Sequence, residues 1–301
     1  NGKLYMYPLA FNVYAMVVNK AIFEQAGALD LLPLDKEDRN WTFEEFEKAL
    51  EAVKKVEGVA PFGIYAGNEQ ADTSIRMLIQ NFGADFVNED RSEVVLNSEA
   101  GYKGMEWLVS LKDKGYLATG VEGHKSDDAL NLFSQGKSAV LALCNAVQYQ
   151  KLLRLKAEGK VVEPFELAIV PFPHAEGVEP KTEVNAIGFS IFKAGGEEKV
   201  AAAKKLIKFL STKEGVAANS SHPARKSQPD LGIVKNDPEL TYLGSLVTNA
   251  TDSGYTMPEF GRIRTHWFPN LQAALLGVKT PQQALDDFVI ESNKILSESK
   301  E

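Results

Sequence analysis

A single cysteine, Cys144, stands among the 301 residues, which excludes an internal disulfide and any metal site built from several thiolates. It closes the apolar run Ser138-Ala-Val-Leu-Ala-Leu-Cys144, a setting for a buried, inert thiol. No uninterrupted apolar run reaches the ~18 residues that a membrane-crossing helix requires. Basic residues are in deficit, 33 Lys and Arg against 41 Asp and Glu, for a formal charge of -8. A general nucleic-acid binder gathers Lys and Arg against phosphates, so this balance argues against nucleic acid as a partner. Histidine is scarce too, and His124, His174, His222 and His266 have no metal-ligand spacing. There is no Gly-x-Ser-x-Gly, His-Glu-x-x-His or Walker sequence. The polar run Asn88-Glu-Asp-Arg-Ser-Glu93 lacks the glycine and terminal glutamate of an EF-hand loop and reads as a solvated turn. No catalytic residue, metal ligand or cofactor site is assigned. Acidic residues are numerous enough for a paired-carboxylate glycosidase, but nothing in the sequence fixes two of them at a suitable separation.

What is present is ordinary for a globular chain, with 44% hydrophobic and 25% charged residues. The length is comfortable for two hydrophobic cores. Two short strands are expected on either side of Pro8, from Leu4, Tyr5, Met6 and Tyr7, and from Val13, Tyr14, Val17 and Val18. Asn19 is placed to cap a helix from Lys20 to Ala26, and Gly27 to close it in the left-handed region. Thr42 and Glu45 form a capping box ahead of Phe43, Phe46, Leu50 and Val53, which share one helical face. Strands are expected over 61–66, 137–143 and 165–170. Helices are expected over 72–82, 98–114, 126–136, 197–210 and 267–276, and after the Thr280-Pro-Gln-Gln283 cap. Trp41 and Trp107 fall where packing residues belong. Alternation of β-rich runs with helices argues for an α/β layered fold.

Several motifs then follow in a recognisable order. The opening Asn1-Gly-Lys-Leu-Tyr-Met-Tyr-Pro8, continuing to Val18-Asn19-Lys-Ala-Ile-Phe23 and Gly27, resembles a stretch of the extracellular solute-binding proteins of ABC importers, in their maltose- and oligosaccharide-binding branch. Trp41-Thr42-Phe43-Glu44, Phe133-Ser-Gln-Gly136-Lys-Ser-Ala139, Pro171-Phe-Pro173, Ala186-Ile-Gly-Phe-Ser-Ile-Phe192, the helix from Glu197, and His222-Pro-Ala-Arg225 resemble later elements of the same family.

The resemblance implies a two-lobe periplasmic-binding-protein-like fold of type II. Lobe 1 would hold residues 1–12 plus 185–238, and lobe 2 residues 13–184 plus 239–301. In the family the opening stretch lies beyond the first βα units, so lobe 2 is expected complete and lobe 1 truncated. The expected remainder is an N-terminal segment of the order of a hundred residues. The implied function is capture of a small-molecule solute, a sugar, and its delivery to ABC permease subunits by hinge closure, without a chemical step. The implied location is extracellular or periplasmic, with anchoring through an N-terminal lipid outside this sequence. Sugar sites combine aromatic faces with polar side chains. The resemblance places Asn12 at the first chain crossing, Gln70 and Asp72 in a lobe 2 loop, Asn185 at the second crossing, Arg225 on the lobe 1 side and Trp267 as an aromatic platform. Where relatives carry Gly-x-Trp, this chain has Cys144-Asn145-Ala146, so Asn145 or Gln148 is expected to serve a smaller or more polar ligand. The rival functions are a carbohydrate-active enzyme with paired carboxylates, or a binding lobe turned to sensing or adhesion.

Overall fold

The structure, a computed structural model, describes residues 5–192, 195–212, 221–224 and 237–299. Its strands are β1 (Tyr7–Val13), β2 (Ala15–Asn19), β3 (Ala60–Gly63), β4 (Ser138–Cys144), β5 (Leu167–Val170), β6 (Val184–Phe189) and β7 (His222–Pro223). Between and after them run helices α1 (Lys20–Gln25), α2 (Phe43–Val53), α3 (Ser74–Gln80), α4 (Glu99–Asp113), α5 (Ser126–Ser134), α6 (Ala146–Ala157), α7 (Gly196–Leu210), α8 (Pro238–Ser245), α9 (Phe260–Ile263), α10 (Trp267–Leu275) and α11 (Pro281–Glu298).

Two sheets result. The larger has the order β3-β4-β2-β5, with β3 parallel to β4 and the other pairs antiparallel. Every residue of β2 and β4 is buried, which accounts for their near-continuous apolar sequences. The buried apolar cluster spreads from these strands into α2, α3, α4, α10 and α11. The smaller sheet has the antiparallel order β6-β1-β7.

Pro8 does not separate two strands as expected. β1 runs through it, the register slips between Pro8 and Ala10, and the break falls at Tyr14. Proline has no N–H to donate and is accepted at a bulge or an unpaired edge. The register slip beside Pro8 in the β1–β6 ladder is such an irregularity. The helix expected from Asp72 starts at Ser74, because Glu69–Asp72 forms a 3-10 turn. The strand at the 186–192 motif runs over Val184–Phe189, beginning and ending earlier than the motif.

Local caps form as their residues dictate. The Asn19 side chain accepts from Ala21 N, and Gly27 takes φ +64°. Capping boxes form at Thr42 with Glu45 and at Thr280 with Gln283. Helix α7 buries none of its residues, and Leu206 and Phe209 on it are exposed, as are Phe192 and, across a concavity from the helix, Tyr5 and Phe189.

Candidate functional site

The chain passes between the sheets at Tyr14 and again between β5 and β6, and the two crossings are tied together. Tyr14 N donates to Glu183 O at 3.1 Å, and Thr182 Oγ1 donates to the Tyr14 carbonyl. A third segment joins them: Thr182 N donates to Asn249 O, and Thr251 N to Thr182 O. Three backbone segments therefore form one narrow waist.

Charged and polar side chains collect beneath this waist. Glu183 is fully buried. One carboxylate oxygen accepts from Arg76 Nη2 and the other from Asn185 Nδ2, both at 3.3 Å. Arg76 is also buried, and it donates from Nε to the Asp72 carbonyl at 2.8 Å and from Nη2 to the Ser253 carbonyl at 3.2 Å. Its guanidinium lies 3.8 Å from the centre of the Phe86 ring, a cation–π contact in a desolvated place. Asp72 accepts two bonds from Arg264, Nε to Oδ2 and Nη2 to Oδ1, each 2.9 Å. Burial pushes the Glu183 carboxyl up to about 7, against the opposing pull of Arg76. Burial raises Asp72 too, against Arg76 and Arg264. The Tyr14 hydroxyl is raised by burial and by the nearby Glu183 charge.

Of the residues expected from sequence, Asn12 and Asn185 lie opposite one another across the β1–β6 ladder. Asn185 Nδ2 is 3.5 Å from the Tyr14 hydroxyl. The Oδ1 atoms of both asparagines are buried and have no hydrogen-bond partner among the described residues. Gln70 is exposed, and its carbonyl accepts from the Tyr65 hydroxyl at 3.3 Å.

Three others are displaced from the surface to the layer beneath. Asp72 is 3% exposed and saturated by Arg264. Asn145 is equally buried; its Oδ1 caps α6 by accepting from Val147 N and Gln148 N, and the amide opposes the burial that raises the Tyr14 hydroxyl. Trp267 corrects the expected platform. It is 1% exposed, donates Nε1–H to the Ala71 carbonyl at 2.9 Å and meets Phe288 edge to face at 5.2 Å. It props the loop that carries Gln70 and Asp72 instead of offering a face. Arg225 lies outside the described residues.

Tyr14, Glu183, Arg76, Arg264 and Tyr255 were not expected from sequence. A buried Arg or Glu looks like any surface one in a sequence, and only a partner distant along the chain distinguishes it. Tyr255 had one local sign, the adjoining Gly254, which turns at φ +75° with no room for a Cβ beside Phe86 (2.6 Å to Cε1). Among the described residues no cluster of His, Cys, Asp or Glu is suited to a metal ion. Surface concavities of about 730 and 810 Å³ are lined by Arg39 and Tyr242 and by Lys20 and Leu29. Neither is lined by the waist residues.

The arrangement is thus a polar waist at the chain crossings between two sheets. The chain belongs to the bacterial extracellular solute-binding protein family, whose profile matches residues 1–242. A protein of Brucella abortus (strain 2308) is 24% identical over 302 residues, which cover 98% of this chain and 69% of that protein. An ABC transporter solute-binding protein of Thermotoga lettingae, solved with alpha-D-tagatose, superposes with a TM-score of 0.82 at 18% identity, over 97% of this chain and 72% of its own. Maltose-bound MalE3 of T. maritima superposes with a TM-score of 0.76 at 20% identity, over 98% of this chain and 73% of its own. These likenesses establish the fold as the two-lobe α/β architecture of binding proteins.

Proposed function

We propose that the protein captures a carbohydrate at the waist between its lobes and hands it to the membrane subunits of an ABC importer. The observation that carries this reading is the convergence of polar side chains from separate segments on the chain crossings. Asn12 and Asn185 come from the two crossings and Tyr255 from the segment that follows the third tie, and Gln70, exposed in the loop after β3, is read as joining them. Lobe 1 is taken as residues 1–12 plus 185–238 and lobe 2 as 13–184 plus 239–301, a division supported by the two separate sheets.

In this reading Asn12, Gln70, Asn185 and Tyr14 meet solute hydroxyls, and Arg225 adds a contact from lobe 1. Asp72, Asn145 and Trp267 hold that set in place from beneath. Contacts made only in the closed form would shift the open–closed equilibrium on binding. The binding of tagatose and maltose by proteins of the same fold supports a sugar as the solute. An N-terminal lipid anchor would keep the protein near its permease.

Thermal-shift screening of the full chain with mono- and oligosaccharides, D-tagatose and maltose included, tests the proposal. At least one sugar should raise the midpoint, and Asn185→Ala should weaken its binding about tenfold or more, the scale of one buried polar contact. No shift with any sugar, alongside a shift with an amino-acid or peptide panel, would reject a carbohydrate as the solute.

A further inference from the structure

We infer that Tyr255 is the aromatic face on which one sugar unit of the solute rests. This rests on the carbohydrate reading above and names the residue that replaces the tryptophan missing after β4. A sugar presents an apolar C–H side as well as hydroxyls, so a site made only of amides and charges would leave that side uncovered.

The chain's three tryptophans cannot supply the surface. Trp41 and Trp267 are each 1% exposed and Trp107 is 9% exposed. Each indole N–H is already donated, to the Pro171 carbonyl, the Ala71 carbonyl and Glu47 Oε1 respectively. Tyr5 and Phe189 are exposed, but the Tyr7–Phe189 pair marks the opposite end of the β1–β6 ladder from Asn12–Asn185.

Among the described rings at the waist Tyr255 is held on one side and more open than Tyr14, which is only partly exposed. Tyr255 is 37% exposed. Phe260 packs against it with ring centres 4.3 Å apart at 36°. Its hydroxyl is 3.4 Å from Thr73 Oγ1, and burial and the nearby Glu183 charge raise its pKa. Glu183 also accepts from Asn185, so the ring and the polar contact lie beside the same buried carboxylate. Gly254 lets the backbone pass under Phe86 just before the ring. A ring held at its hydroxyl and along one side loses little freedom when a ligand arrives, which favours affinity.

Calorimetric titration of the full chain with D-tagatose, ribitol and maltose tests this. Wild type should bind at least one of the three. Tyr255→Leu should weaken that binding about tenfold or more, or about 1.4 kcal/mol, with its melting midpoint little changed. Tyr255→Phe keeps the ring and should stay within about threefold of wild type. Wild-type affinity in Tyr255→Leu overturns the assignment and leaves the carbohydrate reading standing. Equal loss in Tyr255→Phe and Tyr255→Leu also overturns it, because the hydroxyl and not the face would then carry the effect. If wild type binds none of the three sugars, this inference falls, and the wider screen above decides the carbohydrate reading separately. If Tyr255→Leu fails to fold, tyrosine difference absorption on sugar addition replaces it. The signal should be present in wild type and greatly reduced in Tyr255→Phe, and equal signals overturn the inference.

Discussion

Gly254 shows how one residue without a side chain can set a neighbouring ring. Its φ of +75° is strained for an L side chain, and a Cβ would lie 2.6 Å from Phe86 Cε1. Both the ring and the backbone would have to move. Gly254→Ala should therefore lower stability by about 1–3 kcal/mol, measured by urea unfolding, and should weaken solute binding along with it. A neutral Gly254→Ala would mean that Phe86 yields easily and that the turn does not position Tyr255. The same locality explains what could be read from sequence here. Asn12 and Asn185 could be placed at the crossings because they sit inside recognisable motifs. The burial of Asp72 and Trp267 could not, since their partners Arg264 and Ala71 lie 192 and 196 residues away along the chain. The expected tryptophan platform thus became a prop, and an unmarked tyrosine took the open position.

Helices reveal their ends more readily than their surroundings. In the α2 capping box, Thr42 N donates to Glu45 Oε2 at 2.7 Å and Glu45 N to Thr42 Oγ1 at 3.2 Å, all within four residues. The backbone bond from Thr42 holds the Glu45 carboxyl below its usual range. What a helix packs against is a longer-range matter. Helix α7 has the apolar spacing of a covered helix yet buries nothing among the described residues, whereas α10 is anchored by Trp267. Removing that anchor should be costly. Trp267→Ala is expected to lose about 3–5 kcal/mol, seen as a lower unfolding midpoint in denaturant. The cost arises because the cavity opens beneath Ala71 and beside Phe288. A second tight contact makes a separate test: a Cβ on Gly104 of α4 would lie 2.9 Å from Ile79 Cα. Gly104→Val should force α3 and α4 apart and cost about 1–3 kcal/mol or more, again by urea unfolding. An unchanged midpoint in either variant would show that the helices around the loop slide to fill or make room.

Across the whole molecule, the two sheets are coupled through a waist whose central carboxylate is buried, and this makes folding sensitive to pH. Desolvation raises the Glu183 carboxyl from 4.5 to about 7 in the folded state, with Arg76 opposing. The folded protein therefore holds a proton that the unfolded chain releases between those values. Stability from this group is fully present below about pH 4.5 and is lost as pH rises through about 7. The interval corresponds to roughly 3 kcal/mol. Asp72, also raised by burial, acts in the same direction. His222 acts in the opposite one. It stacks on Phe11, its Nε2 lies 2.7 Å from the Leu240 carbonyl, and burial lowers its pKa, so its contribution is present above its unfolded pKa and is lost as pH falls from there through its lower folded value. The net profile mixes these trends, but Glu183→Gln isolates one of them. The stability of wild type relative to Glu183→Gln should rise by roughly 3 kcal/mol as pH is lowered from about 8 to about 4. Urea unfolding of both proteins at matched ionic strength measures it. A constant difference across that range would mean that Arg76 holds Glu183 ionised throughout, making the waist a permanent ion pair instead of a proton-linked one. Arg76→Met separates the two cases. If Glu183 neutralises freely, the substitution should cost less at about pH 6 than at about pH 8, because a buried carboxyl deprived of its cation takes up a proton before it tolerates an unpaired charge.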